Sequence, residues 1–125
     1  MFIKKSLILF FSFFLFTCND TPVDSNDNEI PNSNVSYSKH IQPIFNSKCI
    51  ICHSESPQGT SLKLTNYSNL ITKPGIVRPN EPLSSVLYQR ISGMSYPRMP
   101  LNQDTLTAKQ IQGIKTWISE GARNN

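Results

Sequence analysis

Two cysteines and a histidine stand close together near the middle of the chain, in the run Cys49-Ile50-Ile51-Cys52-His53. Thiols three positions apart face the same way on one helical turn, and an imidazole follows the second thiol directly. This spacing lets the thiols form thioethers with the two vinyl groups of a haem, while the outer imidazole nitrogen reaches the iron. The pattern therefore predicts covalent attachment of haem c through Cys49 and Cys52, with His53 as an iron ligand.

Two other kinds of site use the same residue types. A thioredoxin-like dithiol lies in a βαβ context, and the sequence around Cys49 has no such pattern. A structural zinc site needs four ligands, and the spacing of His40 from Cys49 and Cys52 fits no zinc finger. The sequence favours haem, and a zinc site and a redox dithiol remain the alternatives.

The second iron ligand is expected to be a methionine. Met99 is followed by Pro100, which disfavours helical geometry at the residue before it, and Pro97 stiffens the approach. These prolines predict an extended loop that can hold a thioether against a metal, so Met99 is favoured as the axial ligand. Met94 and His40 remain the alternatives, and either methionine would otherwise fill a gap in the core.

Further residues are expected near the haem. Arg98 adjoins the proposed ligand Met99 and could pair with a haem propionate, or could simply be solvated. Four apolar side chains could wall one edge of the haem or fill an ordinary core: Leu62, Leu64, Leu70 and Ile76.

Short helices must position these side chains. Apolar residues at helical spacing predict a first helix over 37–45, capped by Ser36 and shortened or kinked by Pro43. A short helical piece is expected over 66–71. A further helix is expected to begin at Asn80 as its N-cap and to end at Gly93; its predicted apolar stripe is Leu83, Val86, Leu87 and Ile91.

The last predicted helix runs from about Thr107 to Glu120 and ends at Gly121. Thr107 and Gln110 fit a capping box. Gly113 costs about 1 kcal/mol relative to Ala in a helix interior, so we expect another helix, the one before Cys49, to cross there closely. The predicted buried stripe is Ile111, Ile114, Trp117 and Ile118.

The first 17 residues have two lysines followed by about a dozen mostly apolar residues, which is typical of a secretory signal. The apolar run is short for a transmembrane helix, which needs about 20 residues; an uncleaved anchor is the alternative. Cys18 follows this run directly and resembles the acylated cysteine of bacterial lipoproteins. Ordinary signal cleavage that leaves a free thiol at Cys18 is the other interpretation.

The sequence divides into three parts: a lipoprotein-type signal over 1–17, a lipidated Cys18 with a disordered tether over 18–35, and one folded domain over 36–125. The tether is rich in Asn and acidic residues, with too few apolar side chains to offset its chain entropy. Without the signal, ten basic and eight acidic side chains leave a net charge of +2. That small charge predicts no nucleic-acid partner.

Residues 37–122 resemble the small mono-haem cytochrome c domains of exported bacterial proteins. The resemblance rests on the attachment motif Cys49-x-x-Cys52-His53 together with five other segments: 41–45, 62–64, 79–88, Arg98-Met99-Pro100 and 117–122. It departs at Asn80, where we would expect a glycine. The resemblance implies an all-α cytochrome c-like fold, with three to five short helices around one covalent haem c, and His53 and Met99 as axial ligands.

An exported single-electron carrier is the function expected of such a domain, because His and Met ligands would fill both axial positions of the iron. It would lie at the periplasmic face of a membrane or at the cell surface, and would exchange electrons with a redox donor and a redox acceptor. One alternative is a haem enzyme or gas sensor with an open or labile axial site, for which His40 is the candidate acid or base. Another is a redox docking subunit of a larger complex.

Overall fold

The structure is a computed structural model that describes residues 30–55 and 60–125. The predicted signal over 1–17, the proposed lipidation site Cys18 and the tether up to residue 29 lie outside these described residues. The described part contains helices and no strands, so the predicted all-α class is confirmed. None of its helices is long and apolar enough to cross a membrane.

Six helical elements follow one another along the described chain. They are a π-helical turn Tyr37–Ile41, helix α1 Gln42–Lys48, helix α2 Tyr67–Ile71, a 3₁₀ turn Pro82–Ser84, helix α3 Val86–Ser92 and helix α4 Ala108–Ser119.

The first predicted helix forms as the π-helical turn followed without a break by α1. The Ser36 side chain accepts a hydrogen bond from the Lys39 N–H, as expected of an N-cap. Pro43 is the second residue of α1, which follows the π-helical turn directly. The single helix predicted over 37–45 is thus divided into a π-helical turn and a short α-helix, as expected of a proline near that point.

Helix α4 and the first helical segment form the centre of the core. The Tyr37 ring lies between the rings of Trp117 and Tyr67, with centroid distances of 5.4 and 5.2 Å. The Trp117 indole N–H donates to the Arg123 carbonyl at 2.9 Å, which satisfies its only polar atom. The predicted stripe is largely confirmed, because Ile114, Trp117 and Ile118 are fully buried and Ile111 packs at the core's edge.

Local capping signals fix both ends of α4. The Thr107 hydroxyl accepts from the Gln110 N–H, and the Gln110 side chain accepts from the Thr107 N–H, so the predicted capping box is present. Gly121 follows the helix with φ at +95°, a conformation that glycine adopts without steric cost. The short predicted helix over 66–71 is also present as α2, with Asn66 as its N-cap.

The prediction for the start of α3 was wrong. Asn80 is not an N-cap; it has φ at +68°, and its N–H donates to the Ile118 carbonyl at 2.8 Å. The chain then makes the 3₁₀ turn, and α3 begins only after Ser85. This changes the helical phase, so Leu83 is 58% exposed and the buried part of the predicted stripe shrinks to Leu87 and Ile91.

The close neighbour of Gly113 also differs from the prediction. A Cβ atom at Gly113 would lie 2.6 Å from Cγ2 of Ile30, so an N-terminal residue, and not the helix before Cys49, approaches the glycine. Ile30 and Val35 are buried, and we call residues 30–36 the N-terminal strap. The Glu120 carboxylate accepts from the N–H groups of Asn34 and Val35. The packed chain therefore begins before Ser36, the boundary expected from composition.

Candidate cofactor site

One cavity of about 360 Å³, with mostly apolar walls, lies between α1, α3 and the loops that follow them. This volume is within the range of about 300–1,000 Å³ typical of small-molecule sites. The walls come from four stretches of chain: Lys48, Cys49, Ile51, Cys52 and His53; Thr60, Leu62, Leu64 and Ile76; Val86, Leu87, Arg90 and Ile91; Pro97, Met99, Pro100, Leu101 and Gln103.

The segment from Cys49 to His53 forms a hydrogen-bonded turn directly after α1. The Cys49 carbonyl accepts from the N–H groups of Cys52 at 3.1 Å and His53 at 3.0 Å. Both cysteine side chains line the cavity, as the spacing predicts, and neither is in a disulfide. Cys52 is exposed at the mouth, and Ile51 beside it is 75% exposed.

The ionisation of the Cys49 thiol is changed by its burial. Burial, with a smaller contribution from the charge of Cys52, raises the pKa of the Cys49 thiol to about 11. The reactive thiol of a redox Cys-x-x-Cys pair has a lowered pKa instead. The environment of Cys49 therefore weighs against a thioredoxin-like dithiol.

His53 is held in one orientation by residues that follow it in the chain. Its Nδ1 lies 3.0 Å from the Leu62 carbonyl and 2.7 Å from the Thr60 hydroxyl. A carbonyl can only accept, so the bond to Leu62 is made by the tautomer with its proton on Nδ1. That tautomer has its lone pair on Nε2, as a histidine metal ligand needs.

Met99 lies in a loop that is hydrogen-bonded to the end of α3. Its N–H donates to the Arg90 carbonyl at 3.0 Å, and the Ser95 N–H donates to the Gln89 carbonyl at 3.1 Å. The peptide bonds before Pro97 and Pro100 are both cis. Met99 lines the cavity, whereas Met94 is 59% exposed and lies outside it.

Two of the other candidate residues lie away from the cavity. His40 accepts a hydrogen bond from the Ser36 N–H through Nδ1 and is not among the lining residues, so it is not brought to Cys49 and Cys52. Within residues 30–55 and 60–125, no three His, Cys, Asp or Glu side chains are grouped to hold a metal ion. Arg98 is exposed over Gly93 and does not line the cavity, as expected of the solvated alternative.

Arg90 and Lys48 are cationic lining residues that the sequence interpretation missed. For Arg90 the signal was present, because Arg90 lies three residues after Leu87 and four after Val86, on the same helical face. Of the apolar residues suggested as a wall, Leu62, Leu64 and Ile76 line the cavity, while Leu70 is fully buried in the core.

The residues present fit a covalently bound haem. Two thiols, an imidazole and a thioether line one apolar cavity, and the lining side chains Arg90 and Lys48 carry the charge that would suit the carboxylates of such a group. A soft thioether and an imidazole are donors used by haem iron.

Comparisons with protein-family models, with curated proteins and with solved structures find no match to this chain. The function is therefore inferred from the cavity, its donor atoms and the sequence pattern.

Proposed function

We propose that this chain is an exported mono-haem c-type cytochrome that carries single electrons between redox proteins. The observation that supports the proposal best is that Cys49, Cys52, His53 and Met99 line one apolar cavity although the sequence separates the first from the last by about 50 residues. When bound, haem c supplies an iron that cycles between Fe(II) and Fe(III).

Each of the four residues has a separate role in this proposal. The S–H groups of Cys49 and Cys52 would add across the two vinyl groups, which forms two thioethers without any oxidant. His53 would donate its Nε2 lone pair to the iron, with its ring orientation set by Leu62. Met99 would donate its sulfur as the second axial ligand.

The remaining wall residues control the surroundings of the iron. The aliphatic side chains Leu62, Leu64, Leu87 and Ile91 exclude water, which tunes the reduction potential. Methionine ligation raises that potential compared with two histidines. Because Cys52 and Ile51 are exposed at the mouth, we propose that a redox donor or acceptor contacts the protein there.

The proposal includes export and membrane anchoring through the signal-like residues 1–17 and acylation of Cys18. The polar residues 19–29 would then leave the domain free to move near the periplasmic face of a membrane or at the cell surface.

A haem enzyme or gas sensor is a weaker proposal because it needs a distal acid or base beside an open iron site. His40, the candidate for that role, is bonded to Ser36 and does not line the cavity. A redox docking subunit shares the same site, and co-purification with other membrane proteins would favour it over a free carrier.

Spectroelectrochemical titration of the purified holo-protein tests the carrier proposal. We expect a reversible one-electron change, a Met–iron charge-transfer band in the oxidised protein, and slow, weak binding of carbon monoxide to the reduced protein. Rapid, tight carbon monoxide binding by the unmodified protein would favour the enzyme or sensor.

A further inference from the structure

The C-terminal end of α3 is the surface on which the Met99 loop is held. The last carbonyl groups of a helix lack N–H partners within the helix. In α3, the carbonyls of Gln89 and Arg90 are instead used by the N–H groups of Ser95 and Met99, at 3.1 and 3.0 Å. The helix end therefore fixes the main chain of the loop at two points, one of them at Met99 itself.

Arg90 holds the same loop a second time through its side chain. Its Nη1 donates to the Pro97 carbonyl at 3.2 Å, two residues before Met99. Arg90, Pro97 and Met99 all line the cavity, so this bond lies on the cavity side of the loop. A half-buried guanidinium bonded to a carbonyl makes a charge-assisted bond, stronger than one between neutral groups.

We propose that Arg90 is a positioning residue that keeps Met99 directed into the cavity. Its carbonyl fixes the Met99 amide, and its guanidinium prevents the segment 97–99 from swinging away from α3. The proposal rests on the proposed function only for the statement that the Met99 sulfur binds iron; the restraint on the loop is a property of the chain itself.

Arg98 provides the matched control. Arg98 has the same charge as Arg90 and lies in the loop that contains Met99. Its side chain is exposed over Gly93, where the Arg98 Cδ lies 3.4 Å from the position of a Cβ added to that glycine. It is outside the cavity lining. Arg90→Gln and Arg98→Gln therefore remove the same charge, and only the first removes the bond to Pro97.

The test compares the wild-type full chain with Arg90→Gln and Arg98→Gln. In Arg90→Gln we expect the Met99 amide to exchange its hydrogen about tenfold faster, because one charge-assisted bond is worth at least that factor. In the holo-protein, we expect a weaker Met–iron band and about tenfold faster carbon monoxide binding. Arg98→Gln should match the wild type in all three measurements.

Three results would overturn the proposal. The first is an unchanged exchange rate of the Met99 amide in Arg90→Gln, and the second is an equally large rate increase in Arg98→Gln. The third is an equal increase in the exchange rates of the α4 amides in Arg90→Gln, which would indicate general destabilisation. If Arg90→Gln does not fold, Arg90→Lys and Arg98→Lys replace the pair, with about a threefold effect expected in the first alone. A well-folded wild-type chain without haem would contradict the proposed function, while the amide measurement on that folded chain would still decide the role of Arg90.

Discussion

His53 is held by two groups that contact its Nδ1 atom. The Leu62 carbonyl lies within hydrogen-bond distance of Nδ1, and the Thr60 hydroxyl lies against the same nitrogen while donating to the same carbonyl. Such a bond orients a ligating imidazole and raises its basicity. In the folded chain these contacts leave Nε2 as the nitrogen of His53 that would bind a metal.

Met99→Leu tests whether the second axial ligand is the Met99 sulfur. Leucine keeps nearly the same volume, so the fold should tolerate the change. Because a displaced-ligand state of the wild type would be a minor population of about 1%, we expect the variant to lose the Met–iron band and to bind carbon monoxide about a hundredfold faster.

Met94→Leu is the matched control, since Met94 lies outside the cavity. It should leave the band and the binding rate unchanged. A band that survives Met99→Leu, or one that disappears in Met94→Leu, would show that the ligand was assigned wrongly.

Tyr37 makes stability depend on pH in the alkaline range. Burial, with a smaller contribution from Tyr67, raises the pKa of the Tyr37 phenol from 10.0 to about 12. The folded state then holds this proton more tightly than the unfolded state does. The stabilisation is fully present below about pH 10 and is lost as the pH rises toward 12.

We therefore expect the free energy of unfolding to fall between pH 10 and 12, and to fall less steeply in Tyr37→Phe. Tyr96→Phe, at a fully exposed position, should keep the wild-type slope. Denaturant titrations at several pH values measure these slopes. The same slope in wild type and Tyr37→Phe would show that Tyr37 does not titrate as described.

The helices differ in how far their own sequence determines them. The N-terminal starts of α2 and α4 were predictable, because the side chains of Asn66, Thr107 and Gln110 bond to main-chain groups only three residues away. The start of α3 was not, because the left-handed Asn80 is bonded to the distant Ile118 carbonyl. Local patterns do not contain such contacts.

The N-terminal strap was missed for a related reason. Its composition is polar, and its few apolar residues, such as Ile30 and Val35, have no periodicity. Ile30 is nevertheless buried against Gly113 of α4. Gly113 itself indicated a close approach, but it could not identify which residue approaches.

Gly113→Ala tests this contact. Alanine would favour the helix by about 1 kcal/mol. Its Cβ, however, would lie 2.6 Å from Cγ2 of Ile30, and this methyl group has little freedom to move because the Ile30 side chain is β-branched. Overpacking costs about 1–3 kcal/mol, so we expect net destabilisation of about 1 kcal/mol in denaturant unfolding.

The effect of Gly113→Ala on the free energy of unfolding should change sign when the Ile30 side chain is shortened. In an Ile30→Ala background, Gly113→Ala should stabilise the protein by about 1 kcal/mol, because the obstructing methyl group is gone and the helix propensity remains. Equal effects of Gly113→Ala in both backgrounds would remove Ile30 from the explanation.

The molecule as a whole has an aromatic core on one side and the cavity on the other. Tyr37, Phe45 and Trp117 pack together, whereas no Phe, Tyr or Trp side chain lines the cavity. A bound apolar cofactor would bury the cavity walls, and a group that binds only the folded state stabilises it. We therefore expect the chain to depend on its cofactor for folding.

Part of the candidate site could be predicted from the sequence. The attachment motif and Met99 could be singled out, and the structure places both at one cavity; their roles as ligands stay predictions. The helical face shared with Val86 and Leu87 could have indicated Arg90, but its bond to Pro97 could not be foreseen, because that bond depends on how the loop 93–103 folds back on α3.

Cys18→Ser tests the proposed anchor. Acyl chains bind a membrane with about 0.8 kcal/mol per buried CH₂ group, so a lipidated wild type should sediment with membranes. The variant should appear in the soluble exported fraction with the same haem content. Equal partition of both proteins, measured by fractionation and immunoblotting, would remove lipidation at Cys18 from the proposal.

The central claim is that one haem is joined covalently to Cys49 and Cys52. The most direct test is the intact mass of the denatured protein, expressed in a host that exports and matures c-type cytochromes. We predict the mass of the processed chain plus one haem, and the mass of the chain alone when both cysteines are replaced by alanine. A well-folded wild-type protein with the mass of the polypeptide alone would contradict the claim.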